Sequence, residues 1–250
     1  MQLEYRVAVA GWSIRKERAG LFAADGSHLQ RYASRFAAVE INSSFYKPHR
    51  RETYERWAAD VPAAFRFAVK MPKRLTHEGC LEDTGDALKQ FLGEIAGLGR
   101  KLGAILVQLP PSLAYDPRTV ETFFTALRAR YRGPVVCEPR HPTWFSGAAD
   151  RRLEAHGVGR VGADPSCGEG GGDREGSDRI AYFRLHGSPV MYQSSYEDER
   201  LDRLAARMRE LARDRPVWCV FDNTSRGAAT LNGLALAQRL GTTAPPPAHR

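Results

Sequence analysis

The chain has 250 residues, of which 42% are hydrophobic and 26% are charged, proportions close to the globular average that exclude a disordered or collagen-like polymer. No run of about 18 apolar residues predicts a transmembrane helix, and the N-terminus does not resemble a signal peptide, so we expect a cytoplasmic protein that does not enter a membrane. The net charge of +8 indicates an anionic partner, although no run of about five basic residues marks a nucleic-acid-binding tail.

Eight short apolar runs predict β-strands, and most of them are followed by a helical pattern. The predicted strands span residues 6–11, 38–42, 66–71, 103–109, 134–138, 159–164, 180–186 and 216–223. The predicted helices span residues 29–36, 52–59, 84–98, 117–131, 148–156, 197–213 and 227–240. The helix from Pro117 has a capping residue, Asp116, directly before it.

This alternation favours parallel strands joined by right-handed crossovers. Eight units in 250 residues average about 31 residues each, which is typical of a single (β/α)8 TIM-like barrel over residues 1–241. A doubly wound open sheet is the alternative, but no G-x-G-x-x-G follows the first strand, so no nucleotide cofactor is predicted. We expect residues 167–178, rich in glycine and acidic residues, to form a mobile loop in place of a helix, and the Pro-rich residues 242–250 to be disordered.

The four cysteines do not form a C-x-x-C pair, which argues against a disulfide framework or a zinc site built from cysteine alone. They are Cys80, Cys137, Cys167 and Cys219.

Polar or ionisable residues follow the predicted strands at their C-terminal ends, which form the active-site edge of a TIM barrel. They include Glu40, Asn42, Lys70, Gln108, Glu138, Arg140, His141, Asp164, Arg184, His186, Asp222 and Asn223. Charged side chains are rarely buried without a partner, so their accumulation at one edge predicts a functional site.

Seven ordered sequence fragments resemble the DUF72 family, which is also called YecE-like. They are VEINSSFY (39–46), FAVK (67–70), LTH (75–77), ILVQLPPS (105–112), EPRHPTW (138–144), FRLHG (183–187) and FDNT (221–224). The resemblance covers about residues 8 to 240 and implies a TIM-barrel-like fold, without an established activity. One departure is Asp222, which stands where the family usually has asparagine and adds a negative charge that could alter a metal or anion preference.

Proton transfer is predicted for Glu138, His186, His141 and Glu40, because carboxylates and imidazoles are the common general acids and bases. The structural alternative is that Glu138 forms an ion pair with Arg184 or Lys70. If that alternative holds, Glu138→Gln and Arg184→Met lose stability rather than function alone.

Lys70, Arg140 and Arg184 are predicted to hold an anionic group of the substrate. Lys70 has two further interpretations: a buried amine that serves as a base or Schiff-base nucleophile, or a simple partner for Glu40. The other predicted substrate-binding residues are Asn42, Tyr46, His77, Gln108, Trp144 and Asn223.

A divalent metal is possible, with Glu138, Asp164 and Asp222 as candidate ligands, since carboxylate oxygens suit Mg²⁺, Mn²⁺ and Zn²⁺. No tight ligand motif such as H-E-x-x-H accompanies them, so the cofactor stays unknown.

Together these features predict an enzyme that hydrolyses or isomerises a phosphorylated or nucleotide-like substrate. Two alternatives stay open: two-carboxylate chemistry of the kind that glycoside hydrolases use, and a non-catalytic module that binds nucleic acid or protein.

Overall fold

The computed structural model describes residues 4–167 and 176–242. The β-strands in these ranges are β1 (Tyr5–Val9), β2 (Ala38–Ile41), β3 (Arg66–Lys70), β4 (Leu102–Gln108), β5 (Val135–Glu138), β6 (Val158–Arg160), β7 (Gly162–Asp164), β8 (Ala181–Leu185) and β9 (Val217–Phe221). The α-helices are α1 (His28–Ala33), α2 (Ser43–Tyr46), α3 (Arg51–Ala59), α4 (Gly85–Ile95), α5 (Pro117–Arg128), α6 (Gly147–Ala155), α7 (Asp198–Leu211) and α8 (Ala228–Arg239).

All strand pairs in the two sheets are parallel, as the alternation of strands and helices predicts. One sheet has four strands in the order β1-β9-β8-β7, and the other has five in the order β2-β3-β4-β5-β6. The α/β class is therefore confirmed.

A closed eight-stranded barrel is not confirmed, because the described strands form two separate ladders. The predicted sixth strand is divided at Val161 into β6, which pairs with β5, and β7, which pairs with β8. At the other junction, β1 and β2 are joined by an isolated bridge between Ala10 and Glu40 and by the Gly11 N–H, which donates to the Glu40 carbonyl at 2.9 Å.

The two sheets face each other across an apolar layer in which small and large side chains are matched. Alanines from the first four strands (Ala8, Ala38, Ala68 and Ala104) pack in one cluster with Tyr182 of β8 and Trp218 of β9. These small side chains make room for the two large rings, whose centroids are 5.8 Å apart. These side chains form an apolar layer beneath the C-terminal ends of the strands, which we call the apolar floor.

The outer faces of the sheets are covered by amphipathic helices, of which α5 is a clear example. Its buried side chains recur with the spacing of one helical face: Val120, Phe123, Phe124 and Leu127. Asp116 accepts a hydrogen bond from the Thr119 N–H at 2.7 Å, so the predicted cap is confirmed.

Several local predictions can be compared with the described residues. Of the glycine-rich segment 167–178, only Cys167 and residues 176–178 are described, and Gly176 forms an antiparallel bridge with Arg160. The predicted tail lies outside the described residues beyond Thr242. The short helix α2 and the 3-10 helix Pro142–Trp144 were not predicted. The four cysteines are free thiols, as expected.

None of the helices in the described part of the chain combines the length and the apolar character needed to cross a membrane.

Candidate functional site

A layer of charged and polar side chains lies directly above the apolar floor because side chains alternate along a strand. Glu40 comes two residues after Ala38, and Lys70 comes two residues after Ala68. Arg184 likewise comes two residues after Tyr182, whose ring lies in the apolar cluster. On each of these three strands, a side chain of the apolar floor is therefore followed by a charged side chain on the same inner face. We call this set the charged layer: Glu40, Lys70, Gln108, Glu138, Arg184, His186 and Asp222.

Arg184 is the centre of the charged layer and is fully buried. Its Nε and Nη2 donate to the two carboxylate oxygens of Glu40 at 3.0 and 2.7 Å, a bidentate arrangement. Its Nη1 donates to Glu138 Oε2 at 2.7 Å, and Nη2 also donates to Asp222 Oδ2 at 3.1 Å. One guanidinium thus joins three carboxylates that come from β2, β5 and the end of β9.

The protonation states in this cluster follow from burial opposed by charge. Burial alone would raise the pKa of Glu138, but the positive charges of Arg184, His186 and Arg140 hold it well below its usual range. The pKa of Asp222 is lowered against the same effect of burial, mainly by Arg184. Burial would lower the pKa of Arg184, yet the surrounding carboxylates raise it well above its usual value. Glu138, Asp222 and Arg184 are therefore ionised at neutral pH.

His186 lies between opposite charges, and its ring nitrogens have different partners. Nδ1 is 3.1 Å from Asp222 Oδ2, while Nε2 is 2.9 Å from Glu138 Oε1 and 2.7 Å from Arg140 Nη2. The neutral ring can accept at Nε2 from Arg140, whereas the imidazolium donates there to Glu138. Nε2 therefore has both a hydrogen-bond donor and an acceptor within reach, and its tautomer decides which of them it binds.

Arg140 completes this side of the layer, since its Nη2 is 2.5 Å from Glu138 Oε1 and its side chain is 8% exposed. Gln108 Nε2 reaches the same carboxylate oxygen at 3.4 Å. Glu138 is thus surrounded by donors, three of them cationic or potentially cationic.

Lys70 differs from the other cations of the layer. It is 9% exposed and, among the described residues, has no carboxylate within 4.0 Å. Its ammonium lies 4.0 Å above the centroid of the Phe45 ring. Burial lowers the pKa of Lys70 to about 8, and the charge of Arg184 acts in the same direction against the pull of the carboxylates.

The proposed pairing of Lys70 with Glu40 is wrong, because Glu40 is occupied by Arg184 and by the hydroxyl of Tyr182, which donates at 2.9 Å. The ion pair between Glu138 and Arg184, which the sequence offered as the structural alternative, is present at 2.7 Å. Part of the predicted site therefore serves to neutralise buried charge.

Two predicted site residues lie at the edge of the charged layer. Asn42 Nδ2 is 3.5 Å from Asp222 Oδ1. His77 packs edge-on against Phe45 with ring centroids 4.8 Å apart, and burial together with the charge of Lys70 lowers the pKa of His77.

Tyr46 is 74% exposed and packs edge-on against Phe45, with ring centroids 5.0 Å apart. Among the described residues, its side chain makes no hydrogen bond to the charged layer itself.

Three predicted site residues have structural roles instead. His141 accepts from the Thr143 N–H through Nδ1 and caps the 3-10 helix Pro142–Trp144. Trp144 is 1% exposed, and its indole N–H donates to the Leu113 carbonyl at 2.9 Å, so it is a buried anchor and not an open aromatic wall.

Asn223 is also buried, and its amide donates to the Ser194 carbonyl at 2.8 Å and to Asn232 Oδ1 at 2.9 Å. It therefore holds the loop that precedes α7.

The three candidate metal ligands do not converge on one position. Asp164 pairs with Arg200 at 2.7 Å, while Glu138 and Asp222 are engaged by Arg184 and His186. Among residues 4–167 and 176–242, no group of three or more His, Cys, Asp or Glu side chains is arranged to hold a metal ion. The donor set in the described part of the chain thus fits a neutralised charge cluster better than a cation site.

Sequence reasoning missed Tyr182, whose hydroxyl binds Glu40. The signal was available, because Tyr182, Arg184 and His186 alternate along one strand and share its inner face. The role of Phe45 as the cover of Lys70 could not be read from the sequence, since it depends on where the short helix α2 turns the chain after β2.

A family model described as "Protein of unknown function DUF72" matches residues 6–250. The UPF0759 protein YunF of Bacillus subtilis (strain 168) is 25% identical over 267 residues, covering 94% of this chain and 94% of that protein. The UPF0759 protein YecE of Escherichia coli (strain K12) is 30% identical over 141 residues, covering 53% of this chain and 50% of that protein. The matched region thus spans about half the length of YecE.

Two crystal structures of DUF72 family proteins have the same fold. The protein from Enterococcus faecalis V583, at 3.10 Å resolution, superposes with a TM-score of 0.77 and 20% identity, covering 95% of each chain. The protein from Thermotoga maritima MSB8, at 2.20 Å resolution, has a TM-score of 0.77 and 23% identity, covering 95% of this chain and 99% of that one.

Proposed function

The chain belongs to the DUF72 family of proteins of unknown function, and we propose that it is an enzyme that binds a small anionic substrate at the C-terminal edge of its strands. The substrate class is phosphorylated or nucleotide-like, and the reaction is a hydrolysis or an isomerisation. The two facing sheets serve as one barrel-like scaffold for this site.

The observation that carries this proposal is Lys70. Every other cation of the charged layer has a carboxylate partner, whereas Lys70 is buried without one among the described residues. A buried ammonium without a counter-ion costs free energy, which an anionic ligand would recover. Proteins retain such unfavourable groups mainly where function needs them.

His186 is the group best suited to proton transfer. Its Nε2 lies within hydrogen-bond reach of both a carboxylate, Glu138, and a guanidinium, Arg140, and imidazoles are the commonest groups for proton transfer. Arg140 is 8% exposed at its side chain and supplies the second cation for the substrate.

Two-carboxylate chemistry of the glycosidase kind is less compatible with these contacts. Glu40 and Glu138 each share hydrogen bonds with Arg184, and a carboxylate held in this way is a poor nucleophile or general acid.

The proposal is tested by the thermal stability of the protein in inorganic phosphate, compared with chloride at equal ionic strength. We expect phosphate to raise the melting temperature of the wild type by ~5 °C near saturation, since a ligand that binds only the folded state stabilises it. Lys70→Met should remove that increase. Lys89→Met, an exposed lysine on α4, should retain it.

A wild type that does not respond to phosphate, or a Lys70→Met variant that still responds fully, contradicts the proposed anion site.

A further inference from the structure

We propose that Lys70 is a nucleophile that forms a Schiff base with a substrate aldehyde or ketone. This inference deepens the proposed function and rests on it: the substrate is then an anionic carbonyl compound, with its negative group near Arg140.

The position of Lys70 favours this role. It is the last residue of β3, and the hydroxyl of Ser44 donates to its backbone carbonyl at 2.7 Å, which fixes the point from which the side chain leaves the strand. The side chain then rises beside Phe45, whose ring centroid lies 4.0 Å from Nζ. The amine is therefore held in one place and partly shielded from water.

The surroundings of Lys70 also favour the neutral amine, which is the nucleophilic form. A lysine becomes nucleophilic when it is desolvated or lies near another cation. Lys70 meets both conditions, since it is 9% exposed and the charge of Arg184 disfavours its ammonium. The ring of Phe45 attracts the ammonium, but such an attraction is weaker than a carboxylate ion pair in a buried site.

The charged and titratable groups that act on Lys70 come from several elements around it. They are Glu40, His77, Glu138, Arg184 and Asp222. The three carboxylates favour the charged form of Lys70 and so raise its pKa. All three also form ion pairs with Arg184, whose positive charge acts on Lys70 in the opposite direction.

The proposed step is balanced as follows. The lone pair of neutral Nζ attacks the carbonyl carbon, a C–N bond forms, and the carbonyl electron pair moves to oxygen. That oxygen takes one proton from the attacking nitrogen and one from solvent, and it leaves as water. The product is an iminium ion on Lys70, which needs no oxidant, reductant or metal.

The test is reductive trapping on the full-length wild-type protein with 4-carboxybenzaldehyde and cyanoborohydride, followed by peptide mapping. Cyanoborohydride delivers a hydride to the iminium carbon and makes the adduct permanent. The chain has six lysines, so each site can be followed separately. At pH 7 we expect Lys70 to be labelled at least about tenfold faster than exposed Lys89, because burial lowers the pKa of Lys70 to about 8 and so raises the neutral share of its amine.

The dependence on pH separates this nucleophile from an ordinary lysine. The labelling rate at Lys70 should rise with pH and level off above about 8, where its amine is already neutral. The rate for a free lysine side chain in solution, whose pKa is about 10.4, should continue to rise to about pH 10. Neutral benzaldehyde should label Lys70 more slowly than the carboxylated probe, because it lacks the anionic group.

Labelling of Lys70 no faster than that of Lys89, or with the pH profile of free lysine, overturns the inference. Because the measurement uses the wild type, it does not depend on the folding of a variant. If phosphate stabilises the protein but Lys70 is not trapped, the Schiff base fails and the anion site stands. If phosphate has no effect, the proposed function fails, whatever the trapping result.

Discussion

Arg184 and Lys70 lie in the same charged layer, yet their surroundings differ in the way that charge is balanced. Arg184 is fully buried and uses all three guanidinium nitrogens to bind Glu40, Glu138 and Asp222. Lys70 is nearly as buried but has an aromatic ring where a counter-ion would be expected.

This difference assigns a structural role to Arg184 and a functional role to Lys70 within one cluster. Removing one member of a fully paired buried charge cluster strongly lowers the free energy of unfolding, because the remaining charges are left without a partner. An unpaired buried charge reduces stability, so its retention calls for a ligand. The predictions below test this contrast by changing one member at a time.

The largest expected effect is that of Arg184→Met. This change leaves three buried carboxylates without their shared cation, and we expect it to reduce the free energy of unfolding by roughly 3–5 kcal/mol. Urea denaturation of the variant and of Arg213→Met, which removes an exposed arginine, measures the difference. The control should change by no more than about 0.5 kcal/mol. Equal stability of the two variants would mean that the Arg184 network is not structural.

A smaller loss, about 2–3 kcal/mol at neutral pH, is expected for Glu138→Gln, because the amide keeps the shape of the side chain but removes the charge that faces Arg184. The difference in stability between the wild type and Glu138→Gln should become smaller as the pH falls. Since the folded pKa of Glu138 is lowered, its contribution is fully present above the unfolded value of about 4.3 and is lost as pH falls through the folded value.

The measurement is the stability of wild type and Glu138→Gln between pH 7 and pH 3. A difference that grows as the solution becomes more acidic would contradict the assignment of Glu138 as a carboxylate stabilised by cations.

Lys70→Met should have the smallest effect and the opposite sign. Because no carboxylate of residues 4–167 and 176–242 pairs with Lys70, the variant is expected to gain about 1–2 kcal/mol at pH 7. The folded pKa of this base is lowered to about 8, so the wild type regains stability as pH rises from about 8 toward 10.4, and the advantage of the variant should fade there.

Chemical denaturation at pH 7 and pH 9.5 tests this. A Lys70→Met variant that is less stable than the wild type at pH 7 would show that Lys70 has a stabilising partner, and the contrast with Arg184 would be lost.

Much of the fold could be predicted from local patterns. Each of the eight predicted strands overlaps a described strand, and the capped start of α5 was predicted from Asp116 and Pro117. The division of the sixth strand at Val161 could not be predicted, because the apolar pattern does not record which neighbouring strand each residue pairs with.

The candidate site was predicted less completely, and the errors have a physical reason. Glu138, Arg184 and His186 were placed at strand ends, and the structure brings them together within hydrogen-bond distance. His141 was grouped with them because it is near Glu138 in the sequence, and Trp144 because it is an aromatic residue in a loop at the same edge. His141 accepts from the Thr143 N–H of its own turn, and the Trp144 indole donates to the Leu113 carbonyl of another loop, so the direction of each side chain depends on loop geometry.

The sequence by itself determined that the strands are parallel, that they alternate with helices, and that charged side chains follow apolar ones on the inner face. Those properties depend on residues two or four positions apart, which the chain order specifies. Only the tertiary structure decided that Glu40 pairs with Arg184 and leaves Lys70 without a carboxylate partner among the described residues, because that choice depends on distances between residues more than one hundred positions apart.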